Sequence, residues 1–354
     1  MVILNNEAID LVGFGEVRRA LQLEADVIKR IDARGGNLSI RVSFRANYGR
    51  LLAEVGRFDG AIATLQETIA QARATRNVFW ELRASFFLAR ALVRAGRLVE
   101  GSAALDRSES AYRHDELMNK GYLQDVAAVR AEVWLRDNRA AEAKRKIEEL
   151  LSEMGYPGNT AILPRLISTL PLAAEIALAA GDAERADALA AAGVDLATRA
   201  ARDATQSADV GRARLTLGNV RLAQGQRRDA AEAFAAALPG LANGLGADHP
   251  LAIEARQLFG SSTSTASTTE RLNRCRNQNS SVAHSFERAA APRARFVSAE
   301  VPKTGLPWCG SERDVYPSAM HASATAYAPR ASRDRSSGRI AALPASPPCG
   351  SAAH

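Results

Sequence analysis

LVGFGEVRRA, residues Leu11 to Ala20, sets two glycines one residue apart at a switch from apolar to charged sequence. Read as chemistry, it is a glycine-rich loop able to cradle a phosphate, with Lys29 in the following DVIKRI supplying a cation. Read as structure, it is a tight turn between two helices. The choice decides between an enzyme and a scaffold, and the next 240 or so residues make it.

Apolar residues recur at helical spacing through most of the first 260 positions, interrupted by short breaks. The breaks fall at Gly15, Gly56, Gly96, Asn138, Gly181 and Gly225, so their spacings are 41, 40, 42, 43 and 44 residues. A fixed period of this length marks a stack of repeated hairpins. Five residues after each break stand Ala20, Ala61, Gly101, Ala143, Ala186 and Ala230. Seven before it stand Ala8, Gly49, Ala89, Ala131, Ala174 and Gly218. Only a small side chain fits where two packed helices cross, which accounts for both columns.

Three residues before the break every unit is apolar: Val12, Ala53, Val93, Leu135, Leu178, Leu222. Thirteen after it come Ile28, Ile69, Leu151, Val194 and Leu238, with Glu109 the exception. The residue just after the break is polar throughout. Each unit therefore reads as helix, turn, helix. Reversing one helix into the next passes through a left-handed backbone conformation, which Gly adopts freely and Asn tolerably.

ANYGRLLAEVGRFDGAIATLQETI (Ala46 to Ile69) and LTLGNVRLAQGQRRDAAEAFAAAL (Leu215 to Leu238) resemble the tetratricopeptide repeat, with its small residues at two helix crossings and Gly at the turn. The units exceed the common length and look like the kinesin-light-chain type, whose linker LGADHP (Leu245 to Pro250) resembles. Arg130 and Arg221 depart from the pattern, standing where the family prefers an apolar residue. The resemblance covers roughly residues 5 to 260. It implies an all-α fold: a right-handed superhelical solenoid of about six helix-turn-helix repeats.

A protein kinase would need further parts in a fixed order. LRDN at Leu135 to Asn138 lacks the leading His and downstream Asn of a catalytic loop, and Phe58-Asp59-Gly60 scrambles a magnesium motif. Both sit at repeat breaks. Gly15 is thus predicted to be a turn.

The charge is unevenly spread. The chain carries +7, but residues 261–354 hold 12 basic against six acidic residues, which leaves residues 1–260 at about +1. A nearly neutral body lacks the concentrated cations that displace counterions from nucleic acid. All three cysteines (Cys275, Cys309, Cys349) lie in the tail, widely spaced, so no thiolate metal site or disulfide is expected in the body. MVILNNEAID lacks the basic lead and long apolar core of a secretory signal, and no run of about 18 apolar residues occurs. A cytoplasmic protein without membrane contact is expected, and the Asn37 and Asn279 glycosylation sequons are discounted. Leu, Ile, Val and Phe number ten in the last 94 residues, with eight of the 13 prolines, and predict a disordered low-complexity tail from residue 261.

Catalysis needs converging titratable groups. His114 and His249 are the body's two histidines, and His249 precedes Pro250 at a predicted helix start. Carboxylate pairs such as Glu148 and Glu149 fit solvated helix faces. Phe79, Trp80, Phe86, Phe87 and Trp134 read as packing, with Trp80 an alternative groove flank. No enzyme activity, cofactor or metal is expected.

The family resemblance implies a concave groove lined by the first helix of each unit. Carrying the groove positions over gives Asn47, Arg50, Arg83, Phe86, Arg90, Arg94, Glu132, Glu175, Arg212 and Asn219. The stretch from Arg50 to Arg94 is basic and suits an acidic peptide, since each guanidinium presents a planar fork of donors to a carboxylate or phosphate. The asparagine and lysine pattern of chaperone-binding members is not reproduced. Two roles follow as expectations: an interaction scaffold for a peptide or partner helix, or the regulatory region of a larger bacterial signalling protein such as a serine/threonine kinase or transcription activator.

Overall fold

The computed structural model describes residues 2–33, 38–114, 120–158 and 164–263. All belong to one compact unit, Met1–Ala289, and the second, Ala290–His354, lies outside the described residues. So do the predicted tail from residue 264 onward, Asn37 and Asn279.

The described residues form thirteen α-helices and no strand. Six hairpins run α1 (Val2–Gly13) with α2 (Val17–Ala33), α3 (Leu38–Glu54) with α4 (Phe58–Ala74), α5 (Val78–Arg94) with α6 (Leu98–His114), α7 (Lys120–Arg136) with α8 (Ala140–Glu153), α9 (Pro164–Ala179) with α10 (Ala183–Ala200), and α11 (Ala208–Ala223) with α12 (Arg227–Gly244). A last helix, α13 (Pro250–Thr263), follows. Consecutive helices pack in chain order, and first helices also touch the next unit's first helix, as α3 does α5 and α9 does α11. This is the expected all-α superhelical solenoid, with α13 as an additional leading helix that runs three residues past the predicted end of the array.

All six predicted breaks are turns of one kind. Gly15, Gly56, Gly96, Asn138, Gly181 and Gly225 have φ of +77°, +78°, +79°, +58°, +81° and +78°. In each, the turn N–H donates to the carbonyl three residues back and the following N–H to the carbonyl five residues before it, as Gly15 does to Val12 (3.0 Å) and Glu16 to Leu11 (2.8 Å). This pair of bonds satisfies carbonyls that the end of a helix leaves without partners. LRDN runs from the end of α7 into the fourth turn, and Phe58-Asp59-Gly60 opens α4 just after the second.

The small columns are the helix crossings. Ala20, Ala61, Ala143, Ala186 and Ala230 are fully buried, and so are Ala89, Ala131 and Ala174. A Cβ added to Gly49 would lie 2.7 Å from Leu65, one on Gly101 2.7 Å from Val93, and one on Gly218 2.4 Å from Phe234. Overpacking at such contacts costs about 1–3 kcal/mol.

The departures from the repeat pattern repair one another. Arg130 donates to Asp106 (2.5 Å) and to Glu109 (3.2 Å), so two irregular positions become an ion pair bridging adjacent units. Arg221 lies 3.7 Å from Asp187 in the same way. Two further turns of the same kind, at Arg76 (φ +54°) and Gly155 (φ +78°), join units rather than helices within a unit.

The array also closes on itself. Gly15 accepts a 2.8 Å hydrogen bond from the N–H of Ala208, and Arg202 pairs at 2.8 Å with the buried Glu16 while its guanidinium sits 5.3 Å from the Phe14 ring. α12 packs on α2, and Arg18 reaches the Ala242 carbonyl at 3.4 Å. Gly240 and Gly244, one turn apart on α12, let that helix press on the start of α11, the segment that meets Gly15: a Cβ on them would come within 2.5 Å of Ser207 O and Ala208 N. One apolar core accordingly contains Leu11, Val17 and Leu21 from the start of the chain together with Leu241, Leu245 and Ala252 from near the end of the helical array.

Candidate functional site

Closure encloses the inner faces of α3, α5, α7, α9 and α11. On α5, Arg83, Arg90 and Arg94 follow one another at seven and four residues, which keeps them on one side of the helix. Arg50 and Glu54 lie one turn apart on α3, and Arg212 comes from the start of α11.

Glu54 is the hub. Its buried carboxylate receives Arg90 at 2.8 Å on Oε1, Arg94 at 2.8 Å on Oε2 and Arg212 at 2.7 Å on Oε2. Asp209 is 3.5 Å from Arg212. The arginines hold the Glu54 carboxyl well below the usual carboxylate range against the opposing effect of burial. Burial and the neighbouring Arg94 push Arg90 down to about 10, whereas Glu54 and Glu132 raise Arg94 against the effect of burial. Asp209 moves the other way, raised by burial first.

The groove residues expected from sequence divide. Arg50, Arg90, Arg94 and Arg212 gather around Glu54, with Arg50 depressed chiefly by burial. Arg83 is sandwiched instead, 4.6 Å from the Phe87 ring and 4.4 Å from Tyr122, with Asp125 3.9 Å away. Phe86 is a correction: only 2% exposed, it packs against Phe87 and Tyr112 in the core and lines no groove. Asn47 is half-buried on α3, one turn before Arg50.

The other side of the inner face is acidic. Glu175 accepts from the Thr216 hydroxyl at 3.0 Å, Asn219 donates to Glu254 at 3.5 Å, and Glu132 pairs with Arg136 at 2.8 Å. Glu175 keeps contact with water, yet desolvation by the surrounding walls, with Glu132 and Glu254 adding repulsion, pushes it up to about 7. The arginines therefore gather on the α3, α5 and α11 side of the inner face and those carboxylates on the other.

The two histidines of the helical array stand in different surroundings. His249 is buried beside the Gly56 turn, its Nδ1 accepts from the Leu251 N–H at 3.2 Å, and burial with nearby Arg212 pushes its pKa down to about 4. His114 is exposed, with Nδ1 2.7 Å from the Ser110 carbonyl. Trp80 stands edge-on to Phe79 at 5.3 Å and packs on the core. Trp134 lies under Arg139 and helps line a separate cleft of about 750 Å³ with Arg130, Arg145 and Glu149. No described helix is long and apolar enough to cross a membrane.

The sequence reading missed Glu54 and the seam. Glu54 had one available signal: a carboxylate on the inner face of a helix whose partners in neighbouring units are arginines.

No protein-family model matches the chain, and no curated protein does. Solved structures do. A Rap protein complexed with competence and sporulation factor shares 12% identity over 74% of this chain and 70% of its own, with a TM-score of 0.52. BtubC (BKLC) from P. vanneervenii shares 16% over 70% of this chain and 99% of its own (TM-score 0.43). A putative kinesin light chain of Podosopora anserina with nearly identical TPR-like repeats shares 18% over 57% and 95% (TM-score 0.40).

Proposed function

We propose that this tetratricopeptide-like solenoid is a non-catalytic, cytoplasmic interaction scaffold that holds an acidic peptide segment of a partner protein against the Arg50, Arg90, Arg94 and Arg212 side of its inner face. One observation carries the reading: three guanidinium groups from two distant repeats converge within 2.8 Å on a single carboxylate. The same donors suit a partner's Asp, Glu or chain-terminal carboxylate. The enclosed position lowers the effective dielectric and strengthens each such contact. A Rap protein of similar fold holds a competence and sporulation factor, which agrees with ligand capture on this architecture.

The test is a peptide array of acidic, neutral and basic sequences probed with the full chain and with Arg94→Gln. Enrichment of acidic sequences that disappears in the variant is the expected outcome. Equal binding of all three classes, or acidic binding untouched by the substitution, rejects the reading.

A further inference from the structure

The carboxylate already sitting among the arginines is the chain's own. Glu54 belongs to α3, Arg90 and Arg94 to the neighbouring α5, and Arg212 to α11, 158 residues away. The Glu54 pairs thus lie on the line where the early and late units meet, beside the Gly56 turn that His249 and Pro250 cover. We propose that Glu54 is a built-in occupant of the peptide site, which an acidic side chain of a bound segment displaces from Arg90, Arg94 and Arg212, releasing α11 from α3 as it does so. This rests on the groove reading above and adds its regulation: the scaffold is self-blocked, and occupancy is coupled to the seam.

Three features argue for displacement. Among the described residues Glu54 is the one carboxylate in ion-pair contact with Arg90 and Arg94, while Asp209 stands 3.5 Å from Arg212 and Glu132 acts on Arg90 and Arg94 from farther off. The bonds that Glu54 makes are those a peptide carboxylate would make, so each ligand contact replaces an equivalent internal one. The Arg212 contact is the only one of the three that spans the seam, and the adjoining seam bond from Ala208 N–H to Gly15 O lies four residues away on the same segment. A ligand that takes Arg212 removes one of its tethers.

The experiment uses the full chain, a fluorescent hexaglutamate peptide and a serine-phosphorylated counterpart at low salt. Removing the internal charge with Glu54→Gln tightens hexaglutamate binding about tenfold or more relative to the unmodified chain, because the three contacts to be displaced are no longer charge-assisted on both sides. Saturating the unmodified chain with peptide speeds amide exchange in segment 205–212. A larger gain for the phosphorylated peptide identifies phosphate as the preferred source of the oxyanion and supports the same displacement. Equal affinity of the unmodified chain and Glu54→Gln overturns the inference while leaving the groove reading intact. No binding by either, or binding indifferent to Arg94→Gln, overturns both. Should Glu54→Gln fail to fold, exchange in the unmodified chain decides: acceleration supports displacement, and an unchanged rate overturns it.

Discussion

The first and third turns are the same device in different surroundings. Gly15 and Gly96 have φ of +77° and +79° and close with the same pair of backbone bonds. A Cβ on Gly96 would meet nothing within 4 Å, whereas one on Gly15 would lie 2.2 Å from Ser207 Oγ and 3.2 Å from Asp209 N. Glycine at Gly96 answers only to backbone conformation. At Gly15 it answers also to a segment from the far side of the array, so one letter of the repeat carries local and global information together.

The largest test of this contrast removes the seam's charge hub. Glu54→Ala leaves three half-buried guanidinium groups facing one another and is expected to lower stability by about 3 kcal/mol, against less than about 0.5 kcal/mol for Glu100→Ala on an exposed helix start. Chemical denaturation of both variants checks it. A loss at Glu54 no greater than at Glu100 would show that the hub contributes nothing.

The turns themselves come next. Alanine in a left-handed position costs about 1–2 kcal/mol wherever it stands. At Gly15 the added methyl also displaces Ser207, whose hydroxyl caps α11 through Val210 N, for a total of roughly 3 kcal/mol. Thermal melts of Gly15→Ala and Gly96→Ala should therefore differ by about 1–2 kcal/mol, and equal losses would break the comparison.

A second buried glutamate sharpens the electrostatic side. Glu24 on α2 is 1% exposed, and its Oε2 has no hydrogen-bond partner. Burial raises it from 4.5 to about 7, with Arg50 opposing weakly. Between those values the folded chain keeps a proton that the unfolded chain has released. Stability from this group is therefore full below about pH 4.5 and is lost as pH rises through about 7. Glu24→Gln should flatten that slope and gain roughly 3 kcal/mol at pH 8, as read from denaturation midpoints across pH.

The smallest effect concerns Arg76, an L-residue at φ +54° in a turn that joins two units. Arg76→Gly relieves about 1 kcal/mol, read as a slightly raised melting temperature.

What the sequence discloses follows from how far each constraint reaches. Turn glycines and crossing alanines answer to neighbours within about 20 residues, and repetition across six units made them legible. Arg76 was not, because the turn it forms carries no residue-type signal. Phe86 was misplaced because an aromatic at helical spacing on a first helix can face the groove or the next helix, and only packing against Tyr112 decides. Glu54 was overlooked for a related reason. Its arginines were visible, but Arg212 finds it only after four further repeats have turned the chain back on itself.

The hydrogen bond from Ala208 to Gly15 bears on how such a protein can change in number rather than in residue. Open solenoids lengthen or shorten by duplication, since each unit meets only its neighbours. Here an inserted or deleted hairpin would rotate the α10–α11 linker away from the first turn and set Arg212 opposite a helix without Glu54. Copy number is fixed by geometry, and the chain must evolve by substitution within its existing hairpins.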